Sequence, residues 1–484
     1  MHNIFNQISK PKPKSVANLN HALAQQIAAK LEEGLALHNA GQLEQARATY
    51  EEILKLNPKH FNALQLSGTI AAQTKQWDKA LGLLNDALKI DTTNASVYNN
   101  RGIVLKELNR LEEALTSFER AIEFKPSYAD AYNNRGNVLK ELKRLEEALT
   151  SFERAIEFRP DYAEFYWNKC LSHLLNGDLT EGWNLYEYGW IDSKQRGSKI
   201  FFNQPIWLGK ESLVNKKILL YSEQGLGDTL QFCRYAKLVS ALGAIVILEV
   251  QKPLFNLLLN LEGVSQIVAK GSALPEFDYQ CPLMSLPLAF KTVIESIPNK
   301  VPYIHTTAVK QDKWREHICD AGFKIAICWQ GNSKNKIDIG RSFPVSLFEG
   351  LAKIDGVRLI SLQKNEGVEQ LKNLPIGMKV ETLPDDFDSG ENAFLDSAAV
   401  MKCVDLVISS DTALTHLAGA LGVKTWLPLK YVPDWRRMLD RQDSPWYPNH
   451  RLFRQTTRDD WKSVFNEMEA ELISLVSTKT TTQQ

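Results

Sequence analysis

The chain has 484 residues, 44% apolar and 24% charged, with 57 basic side chains against 57 acidic ones. That is enough for roughly three domains with buried cores, and the zero net charge excludes the electrostatic footprint of a nucleic-acid binder or a protein held on an anionic membrane. The six cysteines Cys170, Cys233, Cys281, Cys319, Cys328 and Cys403 are too scattered for a zinc cage or a disulfide framework, which points to a reducing, cytoplasmic setting.

The first expected segment, 1–26, is polar. Its opening, "MHNIFNQISKPKPKSVANLN", has no apolar signal core. No run approaches the roughly 20 apolar residues of a membrane helix, so no transmembrane segment is expected.

From residue 27 to 196 the chain repeats itself. Gly34, Gly68, Gly102 and Gly136 fall 34 residues apart, as do Ala46, Ala80, Ala114 and Ala148. Two rows are near copies, "RGIVLKELNRLEEALTSFERAIEFKP" and "RGNVLKELKRLEEALTSFERAIEFRP". This resembles the tetratricopeptide repeat, a helix–turn–helix unit. Gly136 and Ala148 are expected where the two helices cross, Leu139 and Phe152 as apolar contacts, and Pro160 as the stop of the second helix. Four repeats are clear. A fifth, "AEFYWNKCLSHLLNGDLTEGWNLYEYGW", is degenerate, and Trp183, Tyr186 and Trp190 at helical spacing suggest an aromatic face docked on what comes next, with plain core packing the preferred reading. Asn100, Asn134 and Asn168 occupy one equivalent position. Such a ladder can bind an extended peptide backbone, or it is simply a solvated polar face. The array implies protein partners without naming them.

After "PIWLG" (205–209) strand-length apolar runs alternate with amphipathic stretches, the pattern of an α/β fold with parallel sheets. The expected strands are "KILLYS" (217–222), "AIVILEV" (244–250) and "SQIVAK" (265–270), then "KIAICWQ" (324–330), "RLISLQ" (358–363), "DLVISS" (405–410) and "VKTWLP". A proline-rich crossover, "PLMSLPLAFKTVIESIPNKVPYIHTT", separates the sets. Two Rossmann-like domains facing a cleft is the economical arrangement, and ligands of such sheets bind at the carboxyl ends of strands.

"YSEQGLGDTLQF" (221–232) lies at such an end, before an expected helix "DTLQFCRYAKLVSAL". It is not the dinucleotide fingerprint, because Leu230 stands where the third glycine belongs, and it lacks the P-loop Lys-Ser/Thr pair. This weakens an oxidoreductase reading. Asp228 either caps the helix or does chemistry. A second strand–loop–helix, "VISSDTALTHLAGALG" (407–422), has Asp411, Thr412 and His416 around its first turn, where free N–H groups suit a diphosphate. A histidine in that position is also compatible with a satisfied core residue.

At "GLGD" (225–228) and "SDTALTHLAGALG" (410–422) the chain is similar to GT-B-fold glycosyltransferases of the heptosyltransferase-like family (glycosyltransferase family 9-like), over about residues 205 to 455. With its repeats it resembles bacterial tetratricopeptide–glycosyltransferase fusions, and its architecture parallels the O-GlcNAc transferases. The resemblance implies a tetratricopeptide solenoid followed by a GT-B fold, with an acceptor-side domain at 205–302 and a nucleotide-sugar-binding domain at 303–478. It implies Asp228 as general base, Asp411 on the donor sugar, and Thr412 and His416 on the diphosphate. Ala413 departs from the family's usual glycine, and its methyl group narrows the backbone approach.

The implied activity is inverting and metal-independent, from a nucleotide-sugar donor to a protein or glycan acceptor, with no further cofactor. A carboxylate takes the acceptor's proton, and N–H groups and cations stabilise the leaving diphosphate. Arg341 in "GNSKNKIDIGRSFP" is the expected cation, with Lys334 and Lys336 as weaker alternatives, and Gln363 and Lys364 are placed near the nucleotide. The Asp-x-Asp of "DDFD" (385–388) is discounted as a metal site. Trp435, Arg436 and Trp446 either wall a sugar or base, or pack structurally. The competing expectation is a non-catalytic scaffold whose repeats bind proteins.

Overall fold

Each 34-residue row folds as a helix pair, as its periodicity requires. The computed structural model describes residues 16–191, 193–196, 200–319, 321–334, 338–390 and 393–482, and the chain divides into two units between Asp161 and Tyr162. In the first unit the pairs are Val16–Asn39 with Leu43–Leu56, Phe61–Gln73 with Trp77–Leu88, Ala95–Glu107 with Leu111–Phe124, and Ala129–Glu141 with Leu145–Phe158. Residues 1–15 lie outside the described residues, and from Val16 the chain is helical, with Leu23, Ile27 and Leu31 at helical spacing leading into the first repeat.

The glycines at the repeat spacing are there for close approach. A Cβ on Gly102 would lie 2.6 Å from Phe118 Cε1, and one on Gly136 would lie 2.6 Å from Phe152 Cε1. The aromatic sixteen residues on thus fills the space that each glycine leaves. Beside each crossing an arginine ties the second helix to the first. Arg101 Nη1 donates to Ser117 Oγ at 2.6 Å, and Arg135 Nη1 to Ser151 Oγ at 2.7 Å. The last helix of this unit ends at Phe158, ahead of Pro160.

The second unit holds two parallel sheets. The first contains β1 (Lys217–Tyr221), β2 (Ile245–Val250), β3 (Gln266–Ala269) and β4 (Tyr279–Pro282) in the order β3-β2-β1-β4. The second contains β5 (Phe323–Cys328), β6 (Val357–Ser361), β7 (Leu406–Ser409), β8 (Thr425–Leu429) and β9 (His450–Arg454) in the order β6-β5-β7-β8-β9. Every pairing is parallel. Two strands, β4 and β9, were not among those expected. "YQCP" is short and ends in proline, and "HRLFR" is too charged to stand out as an apolar run.

Ile325, Ile327, Leu406 and Ile408 of the second sheet meet Phe343, Phe348, Phe465 and Met468 in one buried cluster, the last two from the helix Trp461–Thr482. The expected helix after the "GLGD" loop is broken into Leu226–Phe232 and Tyr235–Ala241. At the break the buried Arg234 donates to the carbonyls of Gln231, Pro298 and Trp446.

The degenerate fifth helix pair, Ala163–Asn176 with Leu179–Tyr186, is grouped with the α/β unit rather than with the other repeats. Its aromatics supply the reason. Trp183 is buried, donates through Nε1 to the Thr292 carbonyl at 3.0 Å, and meets Trp435 edge-on at 5.3 Å.

Candidate functional site

The two motif loops are brought together by their helices. Leu226–Phe232 packs on Ala413–Ala420, and Gly227 marks their closest approach. A Cβ there would lie 2.9 Å from His416 Cδ2 and 3.5 Å from the Ala413 Cα. Gly227 and Ala413 are therefore small because the helices meet at these positions.

Asp228 does two things at once. Its Oδ2 accepts from the Gly225 N–H at 2.9 Å, so it caps the helix. Its Oδ1 accepts from Arg436 Nη2 at 2.5 Å. Burial pushes the carboxyl up from its usual range, while Arg436 pulls it down. Thr229, the next residue, donates through its hydroxyl to Gln251 Oε1 at 2.9 Å.

Arg436 is held from several sides. Its Nε donates to Gln231 Oε1 at 2.7 Å, its Nη1 to Asp434 Oδ1 at 2.9 Å, and its guanidinium stacks 4.2 Å from the Trp435 ring. The next residue repeats the grip on the other motif. Arg437 Nη2 donates to Asp411 Oδ1 at 2.8 Å, and its side chain is fully buried. One short turn, Trp435–Arg437, thus presents consecutive guanidiniums to Asp228 and Asp411. Sequence reasoning named Arg436 as a possible wall for a sugar and passed over Arg437. The signal that was available is two adjacent arginines in an aromatic segment, where buried guanidiniums require carboxylate partners.

Thr412 is the N-cap residue of the helix Ala413–Ala420, but its side chain makes no capping bond. Its hydroxyl lies 3.5 Å from Ser409 Oγ. His416 is buried, with Nδ1 3.1 Å from the Tyr447 hydroxyl. Burial, then Arg437 and Arg436, hold its imidazole well below the usual histidine range, so it is neutral. Tyr447 also fills the space over Gly419, where a Cβ would lie 2.3 Å from its Cδ1. His416 is therefore a core residue on this side, and any role toward a phosphate falls to its other nitrogen.

Several expected donor-site residues are engaged elsewhere. Arg341 Nε donates to Asp338 Oδ1 at 2.9 Å and closes its own loop rather than pairing with either motif aspartate. Gln363 is a staple. Its Oε1 accepts from the Trp329 and Gln330 N–H groups, both at 3.0 Å, and its Nε2 donates to the Gln330 and Glu366 carbonyls. Those four bonds use the whole amide, so in this structure Gln363 holds the ends of two strands together. Lys364 Nζ donates to the Phe387 carbonyl. Lys334 is exposed, and Lys336 lies outside the described residues.

The Asp-x-Asp is a capping device. Asp388 Oδ1 accepts from the Asp396 and Ser397 N–H groups at 3.0 and 3.1 Å, at the start of the helix Leu395–Met401. Trp446 is fully buried and Trp435 nearly so. Both pack against Trp183, in keeping with the structural packing that the sequence offered beside a ligand wall.

The asparagine ladder is partly engaged. Asn100 Nδ2 donates to Thr69 Oγ1 at 3.3 Å, and Asn134 Nδ2 to Asn99 Oδ1 at 3.0 Å, so these amides stitch each repeat to the one before. Asn168 lies on the helix Ala163–Asn176, which is grouped with the α/β unit, and its carbonyl accepts from Ser172 Oγ. A cavity of about 590 Å³ opens elsewhere in the α/β unit, lined by Lys424, Trp426, Arg451, Glu471 and Leu475 among others. None of the expected site residues lines it. Among the described residues, no helix is long and apolar enough to cross a membrane.

Family models for the tetratricopeptide repeat match residues 31–95, 104–143 and 129–162. These residues carry tetratricopeptide repeats, a fold of protein–protein interaction. Among curated proteins the chain is similar to Protein FlbA of Caulobacter vibrioides, at 24% identity over 297 residues, which is 57% of this chain and 49% of that one. The chain thus spans about half the length of this relative. Among solved structures it is similar to MamA, at 23% identity over 32% of this chain and 91% of that one with a TM-score of 0.31. PilF of Pseudomonas aeruginosa matches at 21% identity over 37% of this chain and 80% of that one, with a TM-score of 0.33. YrrB, a tetratricopeptide protein described as having an unusual peptide-binding site, matches at 21% identity over 34% of this chain and 90% of that one, with a TM-score of 0.31.

Proposed function

We propose that the chain is a tetratricopeptide-linked glycosyltransferase of GT-B type, which moves a sugar from a nucleotide-sugar to a protein or glycan acceptor selected by the repeats. The observation that carries the reading is the Trp435–Arg437 turn, whose two guanidiniums pair with the aspartates of two separate strand–loop–helix motifs. A core needs no such pair. Two carboxylates and two cations at the carboxyl ends of parallel strands suit a reaction that takes up a proton and releases a diphosphate.

In this reading the acceptor oxygen attacks the anomeric carbon as the bond to the diphosphate breaks. The acceptor's proton passes to Asp228, and the charge on the leaving diphosphate is met by the amides at Thr412–Ala413 and by the arginine pair. Arg436 aims Asp228 and opposes the rise that burial gives its carboxyl, which favours its acting as a base. Asp411 orients the donor sugar. The cationic role assigned to Arg341 by the sequence passes to Arg436 and Arg437. Because Asp388 caps a helix, an Asp-x-Asp cation site is not part of the proposal.

The test is a thermal-shift screen of the full chain against ADP, UDP, GDP and CMP and their sugar conjugates, with and without a divalent cation. A ligand at 100 times its dissociation constant stabilises by about 2.7 kcal/mol, which is readily seen as a higher melting temperature. The expected result is one responsive nucleotide class and turnover that Asp228→Asn abolishes while nucleotide binding persists. If a well-folded sample responds to no nucleotide, the transferase reading fails and the scaffold reading stands.

A further inference from the structure

The segment that leaves the fifth helix pair delivers a buried charge to the Gly-rich loop. The turn Ser193–Arg196 inserts Arg196 beneath the aromatic face, 4.6 Å from the Tyr186 ring and 4.1 Å from the Trp190 ring, with its side chain fully buried. Its Nη1 donates to Glu187 Oε1 at 2.8 Å, and its Nη2 to Glu223 Oε1 at 2.8 Å and to Ser285 Oγ at 3.1 Å. Ser285 Oγ closes the ring by donating to Glu187 Oε1 at 2.7 Å.

Glu223 stands at the mouth of the loop, two residues before the Gly225 amide that Asp228 caps. Its Oε1 also accepts from the Met284 N–H at 3.2 Å. Its other oxygen is buried and has no hydrogen-bond partner among the described residues. Burial pushes this carboxyl up to about 7 against the pull of Arg196, and the charge of Asp228 adds to the rise.

Docking of the helix pair does not need this ion cluster. Trp183, packed on Trp435 and Trp446, already supplies apolar contact. A buried ion pair adds little to stability over an apolar replacement, and its known use is to fix one arrangement among several. The arrangement fixed here is that of the loop bearing Asp228.

We propose that Arg196 is a positioning residue for the candidate transfer site: through Glu223 it fixes the backbone on which Gly225 and Asp228 stand, making the last helix pair of the array a working part of that site. This rests on the transferase reading for its purpose, but its test does not. Hydrogen exchange is followed at residues 222–232 in the full-length chain and in Arg196→Lys, Arg196→Met, Glu223→Gln and Arg196→Met/Glu223→Gln variants.

Arg196→Met is expected to speed exchange at Gly225–Thr229 by about tenfold or more while β5 to β8 keep their protection. Arg196→Lys should restore part of the protection. The double variant should lie closer to the parent than Arg196→Met does, because Glu223, the more deeply buried of the two carboxylates that Arg196 pairs with, is no longer left charged without its cation. Unchanged loop exchange in Arg196→Met would overturn the proposal. So would an equal rise across Tyr162–Gln484, which marks a merely structural role. Exchange needs no ligand, so failure of the nucleotide screen and failure of the positioning role remain separate results.

Discussion

Replacing Arg436 by methionine tests the central pairing most directly. The substitution keeps most of the side-chain length and removes the charge. It leaves Asp228 facing no cation, takes the bidentate contact from Asp434 at 2.9 and 3.2 Å, and strands Gln231 Oε1. Breaking a buried ion pair costs about 3–5 kcal/mol. The Asp228 and Asp434 side chains keep 22% and 34% of their exposure, so solvent relieves part of the loss and the lower figure applies. A loss of about 3 kcal/mol is on the order of a hundredfold in the unfolding equilibrium. Urea unfolding followed by tryptophan fluorescence isolates the right unit, since Trp77 alone among the eleven tryptophans precedes Tyr162. Arg436→Lys should retain part of the stability, because an ammonium cannot reproduce the forked contacts. In the pair of changes Asp228→Asn and Arg436→Met, the double variant should lose less than the two single losses combined. A loss below about 1 kcal/mol for Arg436→Met, or strict additivity with Asp228→Asn, would refute the reasoning.

Gly136→Ala should destabilise the repeats by about 1–2 kcal/mol, read by circular dichroism of the helical unit. The clash with Phe152 outweighs the gain in helix propensity, and a neutral or stabilising change would count against the crossing geometry. Asp388→Ala should cost about 1–2 kcal/mol by uncapping Leu395–Met401, whereas exposed Asp386→Ala should cost nearly nothing; equal effects of both on turnover would revive the cation site. On account of its buried histidines the α/β unit should lose stability as pH falls below about 6.5, a loss offset in part by Glu223, whose raised carboxyl takes up a proton in the native state over the same range. Burial holds His416 and His450 neutral in the native state, while the unfolded chain takes up a proton at each, so the unfolded state binds more protons there. Denaturant titrations of the parent and His450→Asn at pH 7.5 and 5.5 check this: the variant should lose less on acidification, and an equal pH dependence of the two would oppose the burial argument.

The sequence by itself determined the repeats, because a 34-residue period writes out each crossing glycine and the large apolar or aromatic partner sixteen residues on in local order. It also determined the parallel α/β character of the second half, since seven of the nine strands are apolar runs long enough to stand out. It marked Gly227 and Asp228 as unusual, but not what they meet. That depends on His416 and Arg436, which are remote in the chain and are brought near only by packing of the α/β unit. The same holds for Gln363 and Asp388, which have the residue types of ligand groups: only the fold shows that nearby backbone amides already occupy them. Periodicity is a local property that a chain carries openly. The pairing of buried charges is a property of the folded arrangement, because a guanidinium and a carboxylate find each other only after the apolar core has set where each one stands.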